Sequence, residues 1–145
     1  MKESFFRYWF KGFEEALDNM DENDRKEIFK HCGRACSDSY TKQIYIDEYA
    51  KADCVNDFIA RLKTRFLEID YQIVEDHKEI LLMYRFCACD LVKDGYISNP
   101  PLCECSRQSL LYNWGSIIGE ECVDVELLKS ILNGDECCQF RITIK

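Results

Sequence analysis

Six cysteines stand in three close pairs: Cys32 and Cys36 in "HCGRACS", Cys87 and Cys89 in "FCACD", and Cys103 and Cys105 in "LCECS". A thiolate is both a soft metal ligand and a nucleophile, so the pairs point to two chemistries. One is coordination of zinc or of an iron–sulfur cluster, each of which takes four thiolates. The other is covalent attack, with Cys103 or Cys105 as the nucleophile. Coordination requires that the pairs converge. Cys32 and Cys36 are four apart, which on a helix stacks both thiols on one face about a turn from each other. Cys87 and Cys89 end an apolar alternation that reads as a strand, where residues two apart share a face. Cys103 and Cys105 fall at the start of a helix, where backbone amides favour thiolate. Between the two C-x-C motifs, "DLVKDGYISNPPL" carries Gly95 and Pro100-Pro101 and can turn the chain back on itself. Gly33, inside "CGRAC", costs about 1 kcal/mol against alanine in a helix interior and so predicts a close approach to the backbone there. The competing use of each thiol is as a small, inert core residue.

The elements that must position these thiols are legible from hydrophobic period. Phe6, Trp9, Phe10, Phe13 and Leu17 trace one face of a first helix. A second helix begins after Asp21 or Asn23 and carries Ile28, Cys32, Ala35 and Cys36 on one side. A weaker helical stretch runs from about Tyr40 to Ala52, and a clear one carries Val55, Phe58, Ile59, Leu62 and Phe66. The period then changes. "YQIV" and "EILLMYRFC" read as a hairpin around "EDHK", the second strand alternating Ile80, Leu82, Tyr84 and Phe86 against Leu81, Met83, Arg85 and Cys87. Ser106 can cap a helix with Leu110, Leu111, Trp114, Ile117 and Ile118 facing inward and Gly119 as its stop. A second hairpin follows, "ECVDVELLKSIL" and "CCQFRITIK", around Asn133-Gly134. The expected fold is α+β: N-terminal helices packed on a four-stranded antiparallel sheet made of two hairpins with an intervening helix. The 145 residues suit a single domain.

Composition narrows the function. A net charge of −8 repels nucleic acid and anionic lipid, so neither is an expected partner. The opening "MKESFFRYWFKGFEEAL" is interrupted by charge and offers neither a signal peptide nor a membrane span, which points to a cytoplasmic location. Ten cysteines in a reducing compartment speak for metal binding or catalysis rather than a disulfide framework. Cys138 alternates with Phe140, Ile142 and Ile144 on an inner sheet face, with Cys137 on the other; Cys54 and Cys122 have no companion at ligand spacing. His31 and His77 are the only histidines; neither is placed to serve as the base of a Cys-His pair, and no nucleotide or hydrolase fingerprint occurs.

The C-terminal stretch "VDVELLKSILNGDECCQFRITI", with Gly134, Asp135, Cys138 and Phe140, resembles the end of the 4-vinyl reductase domain and of the L-2-amino-thiazoline-4-carboxylate hydrolase-like proteins. The resemblance implies a small-molecule-binding fold with a pocket between sheet and helices. It also implies a zinc site built from a Glu and two Cys of the terminal segment with a third Cys upstream. Glu126 and Cys138 match that pattern, while Ser130 stands about where the first hairpin cysteine would fall. The C-x-C pairs and "CGRAC" look like the mark of a bacterial subgroup with its own thiol constellation. The expected function is therefore a domain binding a small molecule or a metal, with Cys32, Cys36, Cys87, Cys89, Cys103 and Cys105 lining the site and Tyr96 and Trp114 as its apolar walls. The alternative is a small hydrolase of cyclic amides or thiazolines using Cys103 or Cys105. The aromatic first helix, Phe5 to Phe13, can serve as core or as the face of a homodimer.

Overall fold

The computed structural model describes residues 2–76, 78–85, 89–98 and 102–145. Helix α1 spans Lys2–Asp18 and α2 Glu22–Cys36. A wide π turn, Ser37–Thr41, keeps helical backbone between α2 and α3, Lys42–Lys51, so that Glu22 to Lys51 is one rod with an irregularity at its middle. Helix α4, Val55–Arg65, precedes strands β1, Ile69–Glu75, and β2, Glu79–Tyr84. A single turn, α5, Asp90–Lys93, leads to α6, Cys103–Ile118, which ends at Gly119 with φ +99°. Strands β3, Val123–Lys129, and β4, Cys138–Ile144, close the chain. The sheet is antiparallel throughout in the order β1-β2-β4-β3, which is the two-hairpin α+β arrangement the period changes predict.

Two apolar clusters hold the elements. In the larger, the inner face of the sheet (Ile80, Leu82, Phe140, Ile142) meets Phe58, Ile59 and Leu62 of α4, Tyr45 of α3, and Leu110 and Trp114 of α6. The strict alternation of β2, with Ile80 and Leu82 buried and Leu81 and Met83 only half so, is what a sheet covered on one face requires. The smaller cluster joins Leu17 of α1, Phe29 of α2, and Ile97 and Leu102 from the segment before α6. Glu48 is 8% exposed and accepts from Arg65 Nη1 at 2.9 Å, with Arg61 and Lys51 within 4 Å, tying α3 to α4.

Three expectations are corrected. The buried seam of α2 is Phe29, Gly33 and Ser37, not Ile28, Cys32, Ala35 and Cys36, because glycine rather than an apolar side chain marks the contact. Trp9 is 55% exposed and Phe5 62%, since only Phe10, Phe13 and Leu17 of α1 reach the smaller cluster. Ser106 lies inside α6, which begins three residues earlier, at Cys103. Phe86, Cys87, His77 and Pro100-Pro101 lie outside the described residues.

Candidate functional site

The close approach that Gly33 predicts is to α6. A Cβ added at Gly33 would lie 2.7 Å from the Cys105 carbonyl oxygen and 2.9 Å from the Ser109 amide nitrogen. One turn further on, Ser37 Oγ and Ser109 Oγ are 2.6 Å apart, and Ser37 Oγ also donates to the Ser109 carbonyl at 3.2 Å. Glycine and serine thus let the two backbones touch, and Cys32 and Cys36 of the same helix lie within electrostatic range of Cys105. The third contributor is Cys89, the half-buried residue that precedes the first turn of α5.

These four thiols act on one another electrostatically. Burial pushes the Cys105 thiol up to about 12, and Cys32, Cys36, Cys89 and Glu104 add to the shift. Cys36 is raised by burial, Cys89 and Asp90. Each influence on Cys105 opposes ionisation, so this thiol is neutral at pH 7, the reverse of what its place in the first turn of a helix predicts. Dipole stabilisation in a first turn is worth typically ~0.3–1 kcal/mol, and burial beside other thiols outweighs it. An activated nucleophile at Cys105 is not what this environment produces. Among the described residues, no group of three or more His, Cys, Asp or Glu side chains stands close enough as it is to hold a metal ion.

Cys103 goes elsewhere. Residues two apart on a helix differ by about 200° in direction, so where Cys105 faces α2, Cys103 faces the loop between β3 and β4. There its sulfur lies 2.8 Å from Ser130 Oγ, and the next residue, Ile131, donates its N–H to Cys138 Sγ at 3.3 Å. The Cys103 thiol, and then the Ile131 N–H, hold the Cys138 thiol down to about 6 against burial and Asp135, which push it up. The loop is pinned by Asp135, whose carboxylate accepts from Ser130 N at 2.8 Å and whose N–H donates back to the Ser130 carbonyl at 3.0 Å.

Of the six paired cysteines, Cys32, Cys36 and Cys89 lie within electrostatic range of Cys105, Cys103 is turned toward the β3–β4 loop, and Cys87 lies outside the described residues. Tyr96 and Trp114 are not brought together. Tyr96 packs between Phe6 and Phe10 of α1 under the Arg7 guanidinium, whereas Trp114, 1% exposed, sits in the larger cluster against Tyr45 and Phe58. Glu126 lies on the outer sheet face, paired with Arg141 at 3.0 Å, away from Cys138. His31 is exposed beside Glu27. Alternation along β4 places Cys138 correctly on the inner face, but no sequence period signals that Ser130 and Ile131 would hold two sulfurs, because that contact is made by a loop.

The helices-then-hairpins order and the thiol patch define a small α+β domain with a cysteine-rich flank. No family model matches the chain, and no curated protein matches it. Among the described residues, no helix is long and apolar enough to cross a membrane.

Proposed function

We propose that the chain is a binding domain whose site is the patch formed by Cys32, Cys36, Cys89 and Cys105, and that its occupant is a thiophilic metal centre, a zinc ion or an iron–sulfur cluster. The observation that carries this reading is that Cys32, Cys36 and Cys89 lie within electrostatic range of Cys105, beside the close Gly33 contact of α2 with α6, in surroundings that oppose ionisation at Cys105. A cation supplies what the patch lacks: it lowers the thiol pKa values and turns mutual repulsion into shared coordination. The donor set is all sulfur, the composition that selects zinc or iron–sulfur clusters over hard, oxygen-seeking ions. The resemblance of the terminal segment to ligand-binding domains accords with a binding rather than a catalytic role.

The test is anaerobic purification followed by elemental analysis and titration with cobalt(II). The reading expects near-stoichiometric zinc or iron, and thiolate-to-cobalt charge-transfer bands that are lost in Cys36→Ser and Cys105→Ser. Cys54→Ser should keep them, since the Cys54 sulfur only caps α4 by accepting from Asp57 N at 3.4 Å. Bands that persist in both patch variants, or a protein that takes up no thiophilic metal at all, would refute it.

A further inference from the structure

Outside the patch, one short loop holds two further sulfurs side by side. Ser130 Oγ contacts Cys103 Sγ at 2.8 Å, and the next residue, Ile131, donates its N–H to Cys138 Sγ at 3.3 Å, so consecutive loop residues hold the two sulfurs. The two ends of this contact come from different elements, the first residue of α6 and the first residue of β4. The loop between them cannot drift, because Ser130 and Asp135 exchange hydrogen bonds at 2.8 and 3.0 Å. Two thiols held by consecutive residues of one fixed loop are placed for the ~2.05 Å sulfur–sulfur bond of a disulfide. At 6% and 7% exposure, both residues are largely but not wholly shielded from solvent.

We propose that Cys103 and Cys138 form a reversible dithiol–disulfide pair, oxidised by hydrogen peroxide and reduced by exchange with a small thiol. In the first step the Cys138 thiolate attacks one peroxide oxygen. The O–O bond breaks, the sulfur becomes a sulfenic acid, and the departing hydroxide takes the Cys103 proton to leave as water. Cys103, now a thiolate, attacks the Cys138 sulfur; the S–O bond breaks, and the second hydroxide is protonated by solvent. The two sulfurs lose two electrons in total, and the peroxide becomes two waters. Ser130 positions the Cys103 sulfur and the Ile131 N–H steadies the Cys138 sulfur. Ring closure fastens the start of α6 to the hairpin loop. This pair shares no residue with the metal patch, so either reading can fail without the other.

The experiment treats the folded full chain with hydrogen peroxide and maps its thiols by peptide mass spectrometry. A Cys103–Cys138 crosslink, two daltons lighter than the paired free peptides and lost on adding dithiothreitol, is the expected product, and it should form faster than any other disulfide. In Cys103→Ala the sulfenic acid at Cys138 persists and is captured by dimedone, whereas Cys137→Ser, altering a neighbour just as buried, leaves the crosslink in place. The proposal is overturned if the folded wild-type chain oxidises at other cysteines while Cys103 and Cys138 stay reduced, or if their crosslink appears only after denaturation. Both readouts are made on the wild-type chain and survive the failure of any variant to fold.

Discussion

Two glycines inside helices should respond to the same substitution with opposite signs. At Gly33 an alanine Cβ would meet the Cys105 oxygen at 2.7 Å and the Ser109 nitrogen at 2.9 Å. A relaxed contact needs roughly 3.5 Å, so α2 and α6 would have to part by about 0.8 Å. The obstructing atoms are backbone and cannot swing aside, and overpacking of this kind costs about 1–3 kcal/mol. Alanine returns about 1 kcal/mol of helix propensity, leaving Gly33→Ala destabilised by up to about 2 kcal/mol. At Gly12 nothing lies within 4 Å of the added Cβ, so Gly12→Ala should be stabilised by about 0.5–1 kcal/mol. Urea unfolding followed by circular dichroism reads both, as a midpoint moved down for Gly33→Ala and up for Gly12→Ala with unchanged m-values. If Gly33→Ala were as stabilising as Gly12→Ala, the backbone contact that assembles the thiol patch would not exist.

Further outcomes follow from burial and charge. Burial is the leading cause that raises Tyr45, Tyr71 and Tyr84 well above the ordinary phenol range, with neighbouring tyrosines adding at Tyr71 and Tyr84. Their folded values exceed the unfolded ones, so their contribution to stability is complete below about pH 10 and is lost as pH rises beyond it. Absorbance titration should show these three of the eight tyrosines ionising only together with loss of the circular dichroism signal; reversible ionisation of all eight near pH 10 in folded protein would contradict this burial. Cys105, raised to about 12 from 9.0, adds an earlier alkaline loss beginning near pH 9, which Cys105→Ala should remove from the pH–stability curve. Glu48→Gln loses the charge-assisted bond from Arg65 at 2.9 Å and should cost about 1.5–3 kcal/mol in thermal unfolding. Asp47→Asn, on the exposed side of the same helix, should stay within about 0.5 kcal/mol.

Where period alone decides, the fold was readable. Apolar residues at helical spacing place α4, and alternation over "EILLMY" places β2 and its inner face, because burying one side of an element leaves a direct trace in residue order. Gly119 ends α6 where expected, since its φ of +99° is strained for other residues. The site was only half readable. Stacking of Cys32 with Cys36 and the anomaly of Gly33 are local properties, and both lead to the α2–α6 contact. That Cys103 and Cys105 part company depends on where α6 begins, and helix starts are weakly encoded when no capping side chain marks them, as none does at Leu102. Partnership among Cys103, Ser130 and Cys138 is a tertiary contact through a loop and carries no periodic signal at all.

The π turn at Ser37–Thr41 acts as a phase shifter. It holds one more residue than a regular turn, so everything beyond it is rotated by about 100° relative to an uninterrupted α-helix. That offset lets one rod present Phe29 to the smaller cluster and Tyr45 to the larger. In evolutionary terms the segment absorbs one extra residue in a way its polar sequence, "SDSYT", does not advertise. A regular α-helix over the same number of residues would turn Tyr45 away from Phe58 and Trp114, whereas deleting one residue of the turn would restore a regular helix and leave Tyr45 facing them. Relatives of this chain that lack one residue between the "CGRAC" segment and Tyr45 should carry a regular helix there with the same residue facing the larger cluster.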